Sequence, residues 1–327
     1  MELRQLRYFK AIADARSFVR AAGHLCVAQP ALSRSMARFE DEIGQTLFVR
    51  HATGVSLTEA GINLYDHVTG VLRRVQVLRD SMSAEESAPH GVMAFGAPAS
   101  FNSMVTAPVV AAFMKKFPKS TVNVVQDTSV NLRDALSSDH LDVAIISTIT
   151  TSSGLRYSPL FTEGMCLVEK ADSNLCSGEL VEVADLAGLP LILCGYPHTT
   201  RLYLEDVFAK LDIKPWFRCE ANTASLVIDL VHKGAGAGIV PSCALTFRSE
   251  CDLRIRPING LKLSWAITTS SKRMGSASVT QLSAMIIQHV WELISHHEWQ
   301  TAHFDGLVPT NTRQQGPSPL RTIGAGS

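Results

Sequence analysis

Residues 17–47 read SFVRAAGHLCVAQPALSRSMARFEDEIGQTL, and this stretch predicts two helices joined by a tight turn. Ser17 offers a hydroxyl that caps a first helix running to about Leu25. Residues 26–28 form the turn, and Gln29-Pro30 opens the second helix, where proline is tolerated because the first helical N–H groups have no partner. The stretch therefore predicts a helix-turn-helix.

The second helix has one apolar face and one polar face. Apolar residues recur at spacings of four, three and four, which indicates a single buried face. They are Leu32, Met36, Phe39 and Ile43. The other face offers amides, hydroxyls and guanidinium groups, which are the donors that base edges in the major groove require. The residues that we expect to contact DNA from this helix are Gln29, Pro30, Ser33, Arg34 and Arg38.

The charge of this stretch differs from that of the whole chain. Thirty basic and thirty acidic residues cancel over the full length, whereas residues 16–38 contain four arginines and no carboxylate. A neutral chain with one basic patch has a local phosphate footprint and no general affinity for polyanions. The alternative is a solvated helix pair within a helical bundle, and the next segment favours the DNA-binding interpretation.

A short hairpin and a long helix follow. Residues 48–50 and 55–57 alternate in polarity on either side of Gly54, so they predict a small hairpin, the wing. We expect Arg50 to contact phosphate or the minor groove from this wing. Thr58 then caps a helix that reaches about Glu86.

The long helix carries an unbroken heptad seam. Its apolar positions are four, three, four, three and four residues apart, and a lone helix cannot bury such a seam by itself. We expect a second copy of the chain to cover the seam, with packing against the chain's own domains as the alternative. The expected dimerisation residues are Leu64, Val68, Val71, Val75, Leu78 and Met82.

Length and composition place the rest of the chain among globular proteins. For 327 residues with 46% apolar content, one small domain and one or two larger units are expected. The sequence has no secretory segment and no apolar run long enough to span a membrane, so we expect a cytoplasmic protein. Seven irregularly spaced cysteines favour reduced thiols over a disulfide framework or a zinc site, and no cofactor or metal is expected.

From residue 92 onward the pattern alternates between strands and helices. Two similar strand–helix sets are predicted, within residues 92–147 and 190–241. Their continuous apolar strands indicate a parallel sheet that is covered on both faces. Residues 160–170 and 261–269 predict two crossover strands, so the two sets should form two α/β lobes.

The first 65 residues resemble the DNA-binding domain of the LysR-type transcriptional regulators. The match is ordered and gap-free, and it runs through Leu6-Arg7-Tyr8-Phe9, Ser17-Phe18, Ala21-Ala22, Leu25, residues 29–34, Glu40, Gly44, residues 47–50 and residues 57–61. Two positions depart from the family pattern: Ala28 replaces the usual serine, and Thr53 stands where many members carry a second wing arginine. His51 adds charge there only when protonated, so we expect modest DNA affinity that oligomerisation makes up.

The resemblance also implies a function and a domain plan. It implies a bacterial transcriptional regulator, not an enzyme, that binds double-stranded DNA as a homo-oligomer, a dimer to tetramer. Residues 92–295 match the family's periplasmic-binding-protein-like effector domain in pattern, and within the family the chain resembles the group around the nitrogen-assimilation control regulator. The expected plan is a winged helix-turn-helix at 1–58, a linker and dimerisation helix with its hinge at 59–90, an effector domain at 91–300 (lobe I at 91–161 and 268–300, lobe II at 162–267), and a disordered tail at 301–327.

The effector site is expected in the cleft between the lobes. In open α/β lobes, ligands bind beyond the carboxyl ends of the strands, where helix N-termini point. Hydroxyls and backbone N–H groups there favour a small anion such as a carboxylate. Because residues 91–114 contain no Lys or Arg, we expect a singly or partly charged effector, or a charge supplied by Arg201. The expected effector-binding residues are Ser100, Phe101, Asn102, Ser103, Thr128, Ser129, His198, Thr199 and Thr200, of which Ser100 and Thr128 also match effector-site positions of the family.

The sequence supports two other functions less well than a regulator that binds DNA and an effector. An enzyme or a solute-binding protein with an accessory helical domain is the competing class, and a DNA binder without an effector is a third possibility. The effector-site hydroxyls would then only cap helices. Adjacent His296 and His297 point apart on a helix, which disfavours a metal site. The glycine-rich residues 234–238 precede a strand, which is the wrong order for a dinucleotide loop.

Overall fold

The computed structural model describes residues 1–82, 89, 91–173, 178–245, 252–270, 276–299 and 301–307. The chain divides into two compact units. The helical unit comprises residues 1–87 and 135–141, and the sheet unit comprises residues 88–134 and 142–327. Glu86, Cys176, Cys251 and residues 308–327 of the predicted tail lie outside the described residues.

The helical unit consists of helices and one hairpin. Its elements are α1 (Leu3–Ala15), α2 (Phe18–Leu25), α3 (Gln29–Ile43), β1 (Phe48–His51), β2 (Gly54–Leu57) and α4 (Glu59–Met82). β1 and β2 pair antiparallel, with Phe48 opposite Leu57. The predicted helix-turn-helix and the predicted wing are therefore confirmed.

Apolar side chains of α1, α3 and the wing form the core of this unit. Phe9, Leu32 and Phe39 are fully buried, and the ring of Phe9 lies 5.3 Å from that of Phe48. Ile43, which the sequence places on the buried face of α3, is 37% exposed. It is the last residue of the helix and lies beyond the part that the core covers.

Local hydrogen bonds explain where the helices begin. The Oγ of Ser17 accepts the backbone N–H of Arg20 at 3.3 Å, which caps α2. The Oγ1 of Thr58 accepts the backbone N–H of Gly61 at 3.0 Å at the start of α4. Ala28 gives α3 no side-chain cap, as its missing hydroxyl requires.

The predicted heptad seam of α4 is wrong in part. Val68 is buried in the core of the helical unit itself, and Leu64 packs against the same core, so Val68 has no surface left for a partner chain. Val71 is 38% exposed and Leu78 is 59% exposed, which leaves apolar surface on the following turns. α4 thus uses one part of its apolar face to anchor its own unit.

The sheet unit is an α/β structure built on one mixed sheet. Its elements are β3 (Gly91–Ala97), α5 (Ala107–Lys116), β4 (Ser120–Gln126), α6 (Ser129–Ser137), β5 (Val143–Ser147), β6 (Leu155–Lys170), β7 (Pro190–Cys194), α7 (Thr199–Lys210), β8 (Trp216–Ala221), α8 (Ala224–His232), β9 (Ala237–Pro241), β10 (Leu253–Ser270), α9 (Ala277–Ser295) and β11 (Ala302–Phe304). Across the described ranges of the chain, no helix is long and apolar enough to cross a membrane.

The strand order joins two parallel sets through an antiparallel centre. The order is β4-β3-β5-β10-β6-β9-β7-β8, and β11 pairs with β6. β3 is parallel to β4 and β5, and β7 is parallel to β8 and β9, as predicted for the two lobes. The long strands β6 and β10 run antiparallel to each other through the middle of the sheet, because each crosses between the lobes in the opposite direction.

The predicted disordered tail begins too early. Ala302, His303 and Phe304 form β11 and pair with residues 161–163 of β6, so the tail prediction is wrong for this segment. Trp299 is buried just before it, with its ring 4.5 Å from that of Phe161. The buried ring of Trp299, together with Ala302 and Phe304, packs this segment against the core of the sheet unit.

Candidate nucleic-acid interface and ligand cavity

The polar face of α3 lies on the surface of the helical unit. Gln29, Pro30, Arg34 and Arg38 are exposed, and Ser33 is partly exposed beside them. The Nε2 of Gln29 donates to the Oγ of Ser33 at 2.9 Å, so this hydrogen bond holds the two side chains next to each other on the surface of α3. All five predicted contacts of this helix therefore lie together, opposite the buried face that holds Leu32 and Phe39.

The wing presents Arg50 on a fixed support. Its guanidinium lies 4.9 Å from the ring centroid of Phe18, the first residue of α2, and this ring packs edge-on against Phe48. The backbone N–H of Val55 donates to the carbonyl of Arg16 at 3.1 Å, which ties the wing to the turn before α2. Cation–π contact restricts the arginine while leaving its N–H donors exposed to a phosphate.

A cavity of about 290 Å³ lies in the sheet unit between the strand ends of its two parallel sets. Six predicted effector residues line it, namely Ser100, Thr128, Ser129, His198, Thr199 and Thr200. The turn after β3 and the starts of α6 and α7 carry them to the same place. The other lining residues are Pro98, Ala99, Gln126, Asp127, Cys194, Asn222, Thr223, Ala224, Pro241 and Trp265.

Three predicted effector residues are not brought to this cavity. Phe101 is fully buried in the core, with its ring 4.6 Å from that of Trp265, because a short 3₁₀ turn over residues 99–101 points it inward. Asn102 accepts a hydrogen bond from Gln126 at 2.8 Å, and Ser103 is exposed outside the lining. α5 itself begins at Ala107.

Arg201 does not supply charge to the cavity. It is buried, with its Nε 2.6 Å from Glu205 and its Nη1 2.8 Å from Glu220. Its guanidinium also lies 4.0 Å from the ring centroid of Phe217. Two carboxylates neutralise this arginine inside the fold, so the predicted role for it is wrong.

Three helix N-termini face the cavity. α7 starts at Thr199 and α8 starts at Ala224, and residues from both starts are in the lining. The start of α6 is capped by Thr128, whose Oγ1 accepts the N–H of Asn131 at 3.3 Å. The first N–H groups of such helices have no intrahelical partner and carry partial positive charge, which suits a carboxylate or another small anion.

Sequence reasoning missed the lining residues that come from β8 and β10. Asn222 and Thr223 follow β8 just as His198 and Thr199 follow β7, so the strand-end rule applied to β8 would have found them. Trp265 gave no local signal, since it lies within the long strand β10. Only the pairing of strands distant in sequence brings its ring to the cavity.

A buried carboxyl lies behind Trp265. The Nε1 of Trp265 donates to Glu163 at 2.7 Å, and Glu163 also accepts the hydroxyl of Ser242 at 2.6 Å and the backbone N–H of Cys243 at 2.8 Å. Burial raises the pKa of Glu163 above its usual value, although these hydrogen bonds act in the other direction. The thiol of Cys194 in the cavity lining likewise has its pKa raised by burial, to about 11, so it is neutral at pH 7.

Family comparisons cover both units. Residues 3–62 match the model of the bacterial regulatory helix-turn-helix protein of the lysR family. Residues 86–291 match the model of the LysR substrate binding domain. These two matches extend over most of the described chain and leave residues 63–85, which include most of α4, between them.

Relatives and solved structures agree with these matches. The nitrogen assimilation regulatory protein nac of Escherichia coli is 29% identical over 252 residues, which is 77% of this chain and 81% of that protein. A full-length OxyR variant from Pseudomonas aeruginosa superposes with a TM-score of 0.66 at 22% identity, covering 89% of this chain and 94% of that chain. Full-length CbnR in complex with its target DNA superposes with a TM-score of 0.65 at 22% identity, covering 89% and 99% respectively.

Proposed function

Because the chain belongs to the LysR family of bacterial transcriptional regulators, we propose that its α3 helix and wing bind DNA and that its sheet-unit cavity binds a small effector. The effector carries at least one carboxylate or a similar anionic group. Binding of this effector changes how the homo-oligomer engages its operator. The solved complex of CbnR with its target DNA supports the DNA-binding half of this proposal.

One observation carries the effector assignment. The cavity gathers hydroxyls from both parallel sets of the sheet, including Ser100 and Thr128 from one and Thr199 and Thr200 from the other. A ligand in it contacts both lobes at once, so binding favours one relative arrangement of the lobes over others. The starts of α7 and α8 provide the donors that a carboxylate requires.

Roles within the DNA-binding surface follow from exposure and chemistry. We assign a base edge to Arg34, with Gln29 and Ser33 beside it in the groove, and backbone or minor-groove contact to Arg50. The winged helix-turn-helix extends over residues 1–58, the linker over 59–90 and the effector domain from 91 to about 307. The relatives are transcriptional regulators, and this chain acts in the same way, in the cytoplasm and without catalysing a reaction.

Thermal melting tests the effector site. The full-length protein is melted alone and with a panel of small carboxylates and sugar phosphates. We expect at least one carboxylate to raise the melting temperature of the wild type, and Ser100→Ala to reduce that shift, because Ser100 loses its hydroxyl in the cavity lining. Ser103→Ala is the matched control, since Ser103 is exposed outside the cavity.

The second candidate function is a DNA binder without an effector. It would be favoured if no compound of the panel stabilised the wild type. If Ser100→Ala and Ser103→Ala responded identically to a compound that stabilised the wild type, the effector site would be misplaced. A gel shift at stated salt with DNA upstream of the protein's own gene then separates a DNA binder from an enzyme or a solute-binding protein.

A further inference from the structure

Asp127 is the one charged residue among the described residues that line the cavity. It follows β4 directly and precedes α6. Its Oδ1 accepts the backbone N–H of Thr128 and the Nδ2 of Asn131, both at 2.7 Å. Both bonds use the same oxygen, so the Oδ2 is available to accept a further donor.

Two arginines of this unit have other partners. Arg201 is buried against Glu205 and Glu220. Arg133 lies on α6, the helix that follows Asp127, and it donates to the carbonyl of Thr150 at 2.9 Å. The lining contributes no Lys or Arg among the residues that the structure describes.

The remaining polar groups of the lining carry no fixed charge. His198 is held by a bond of 2.7 Å between its Nε2 and the carbonyl oxygen of Asn222, so this nitrogen carries a proton and donates. The thiol of Cys194 has its pKa raised to about 11 by burial and stays protonated. One side of the cavity is therefore anionic, whereas the starts of α7 and α8 on the other side favour an anion.

We propose that the effector is a zwitterion of the α-amino acid class, whose carboxylate lies at the starts of α7 and α8 and whose ammonium is bound by Asp127. This inference rests on the proposed effector site. A ligand with only a carboxylate would enter a cavity whose described lining holds the carboxylate of Asp127 and no Lys or Arg to pair with it. A ligand with an added ammonium group pairs with that charge, and the two ends of the ligand match the two sides of the cavity.

The size and the apolar part of the lining narrow the class. A volume of about 290 Å³ lies at the small end of ligand pockets, which suits one amino acid and not a nucleotide or a disaccharide. Trp265, Pro98 and Pro241 contribute apolar surface to the lining. The side chain of the amino acid is therefore apolar.

Matched ligands test the charge pattern on the full-length protein. The probes are the standard L-amino acids, the carboxylic acids made from them by removal of the amino group, and the amines made by removal of the carboxyl group. Melting shifts select the binders, and isothermal titration measures their affinities. We expect an apolar amino acid to bind the wild type, and its two truncated forms to bind roughly tenfold more weakly or worse, since each loses a charged hydrogen-bonding group.

Asp127→Asn is the decisive variant. Asparagine keeps an oxygen that can accept the N–H of Thr128 and the amide of Asn131, and it removes only the charge. We expect it to weaken binding of the amino acid roughly tenfold or more while leaving the deaminated acid nearly unaffected or bound more tightly. Asp212→Asn is the control, because Asp212 is an exposed carboxylate of the same unit at a backbone φ of 52°, which asparagine tolerates.

The outcomes separate this inference from the proposed function. If deaminated acids bind the wild type as well as amino acids do, or if Asp127→Asn changes nothing, the zwitterion assignment is wrong and the effector site stands. If no compound of any of the three series, nor of the carboxylate and sugar-phosphate panel, stabilises the wild type, both the inference and the effector site are overturned.

Discussion

Arg50 and Arg201 both lie against aromatic rings, but their surroundings give them different uses. Arg50 is exposed over Phe18 on the wing, where its fork of N–H donors can meet a phosphate. Arg201 is buried over Phe217 with two carboxylates, so its charge serves the fold of the second lobe. The same contrast holds for carboxyl groups, since Asp127 is exposed in the cavity lining whereas Glu163 is buried behind Trp265.

The arginines of the DNA surface should differ in what their loss does. Arg34→Ala should cost about 1–3 kcal/mol of binding free energy and relax sequence preference, because a base contact is removed. Arg50→Ala should weaken all sequences alike and reduce the salt slope by about 1, because a phosphate contact is removed. Anisotropy titrations over a salt series with operator and scrambled duplexes measure both effects. Arg218→Ala, exposed on β8, is the control, and unchanged binding by Arg34→Ala would remove the recognition-helix assignment.

Glu163 should make the stability of the sheet unit depend on pH. Burial raises the pKa of Glu163 in the folded state above the usual 4.5. The contribution of Glu163 to the free energy of unfolding is therefore complete below pH 4.5 and is lost as the pH rises through the raised pKa. Glu163→Gln cannot ionise, and we expect its free energy of unfolding to fall less than that of the wild type over this rise. Urea unfolding at a series of pH values measures this, and parallel curves for the two proteins would contradict it.

At the scale of elements, two close contacts set positions that no single helix or strand determines. Gly61 in α4 lies against the backbone of Leu47, where an added Cβ would stand 2.2 Å from the carbonyl oxygen. This approach brings the start of α4 onto the segment that leads into the wing. In the other unit, the hydroxyl of Ser242 accepts hydrogen bonds from Trp299 at 3.1 Å and from Thr301 at 2.5 Å, and it donates one to Glu163 of β6. These bonds connect the segment that leads into β11 with β6.

Gly61→Ala should destabilise the helical unit. The added methyl group overlaps a backbone oxygen that cannot move freely, and we expect a loss of about 1–3 kcal/mol in the free energy of unfolding. Gly23→Ala is the matched control, because nothing lies within 4 Å of its added Cβ, and alanine should raise the stability of α2 by up to about 1 kcal/mol. Both changes are measured by denaturant unfolding of the full-length protein, monitored by hydrogen exchange in the peptides that cover residues 1–82. Equal stability of the two variants would show that the backbone at Leu47 moves away from an added methyl group at Gly61 without cost.

Removal of β11 should destabilise the sheet unit. Trp299→Ala deletes a buried indole and its bond to Ser242, and we expect a loss of about 3–5 kcal/mol. A chain that ends after residue 298 should show a similar loss. A chain that ends after residue 307 is the control, since it keeps both Trp299 and β11, and it should melt like the full chain. Identical melting of the two truncated chains would show that β11 contributes nothing.

At the scale of the whole molecule, charge and assembly work together. Thirty basic and thirty acidic residues leave no net charge, so we expect the helix-turn-helix and the wing to supply the attraction to DNA. One wing arginine with a fixed charge gives each copy few phosphate contacts. Two linked copies raise the overall affinity by effective concentration without any new contact, so we expect operator binding to be stronger in the oligomer than in a single copy.

A charge on the exposed part of α4 should break the assembly. Val71 is partly exposed on this helix, and Val71→Asp places a carboxylate where a partner helix would have to bury it without compensation. We expect the oligomer to dissociate and operator binding to fall with it. Light scattering coupled to gel filtration measures the mass. Asn63→Asp, at an exposed position of the same helix, should remain assembled, and an intact oligomer for Val71→Asp would exclude the seam.

The sequence by itself determined the features that depend on near neighbours along the chain. Ser17, Thr58 and Gln29-Pro30 mark helix starts, and Gly54 marks the hairpin, because capping and turn formation involve residues only a few positions apart. The strand-end rule likewise located Ser100 and Thr128 near one cavity, since parallel strands place their carboxyl ends along one edge.

Only the tertiary structure decided what depends on contacts between distant residues. It buried Phe101 under Trp265, neutralised Arg201 with Glu220, and placed Trp299 against Phe161. No local pattern distinguishes these side chains from exposed ones, because a phenylalanine in a turn or an arginine in a helix is compatible with either environment. Their burial depends on which surfaces the strand pairing brings opposite them. In the centre of the sheet that pairing brings together residues a hundred or more positions apart, such as Glu163 and Trp265.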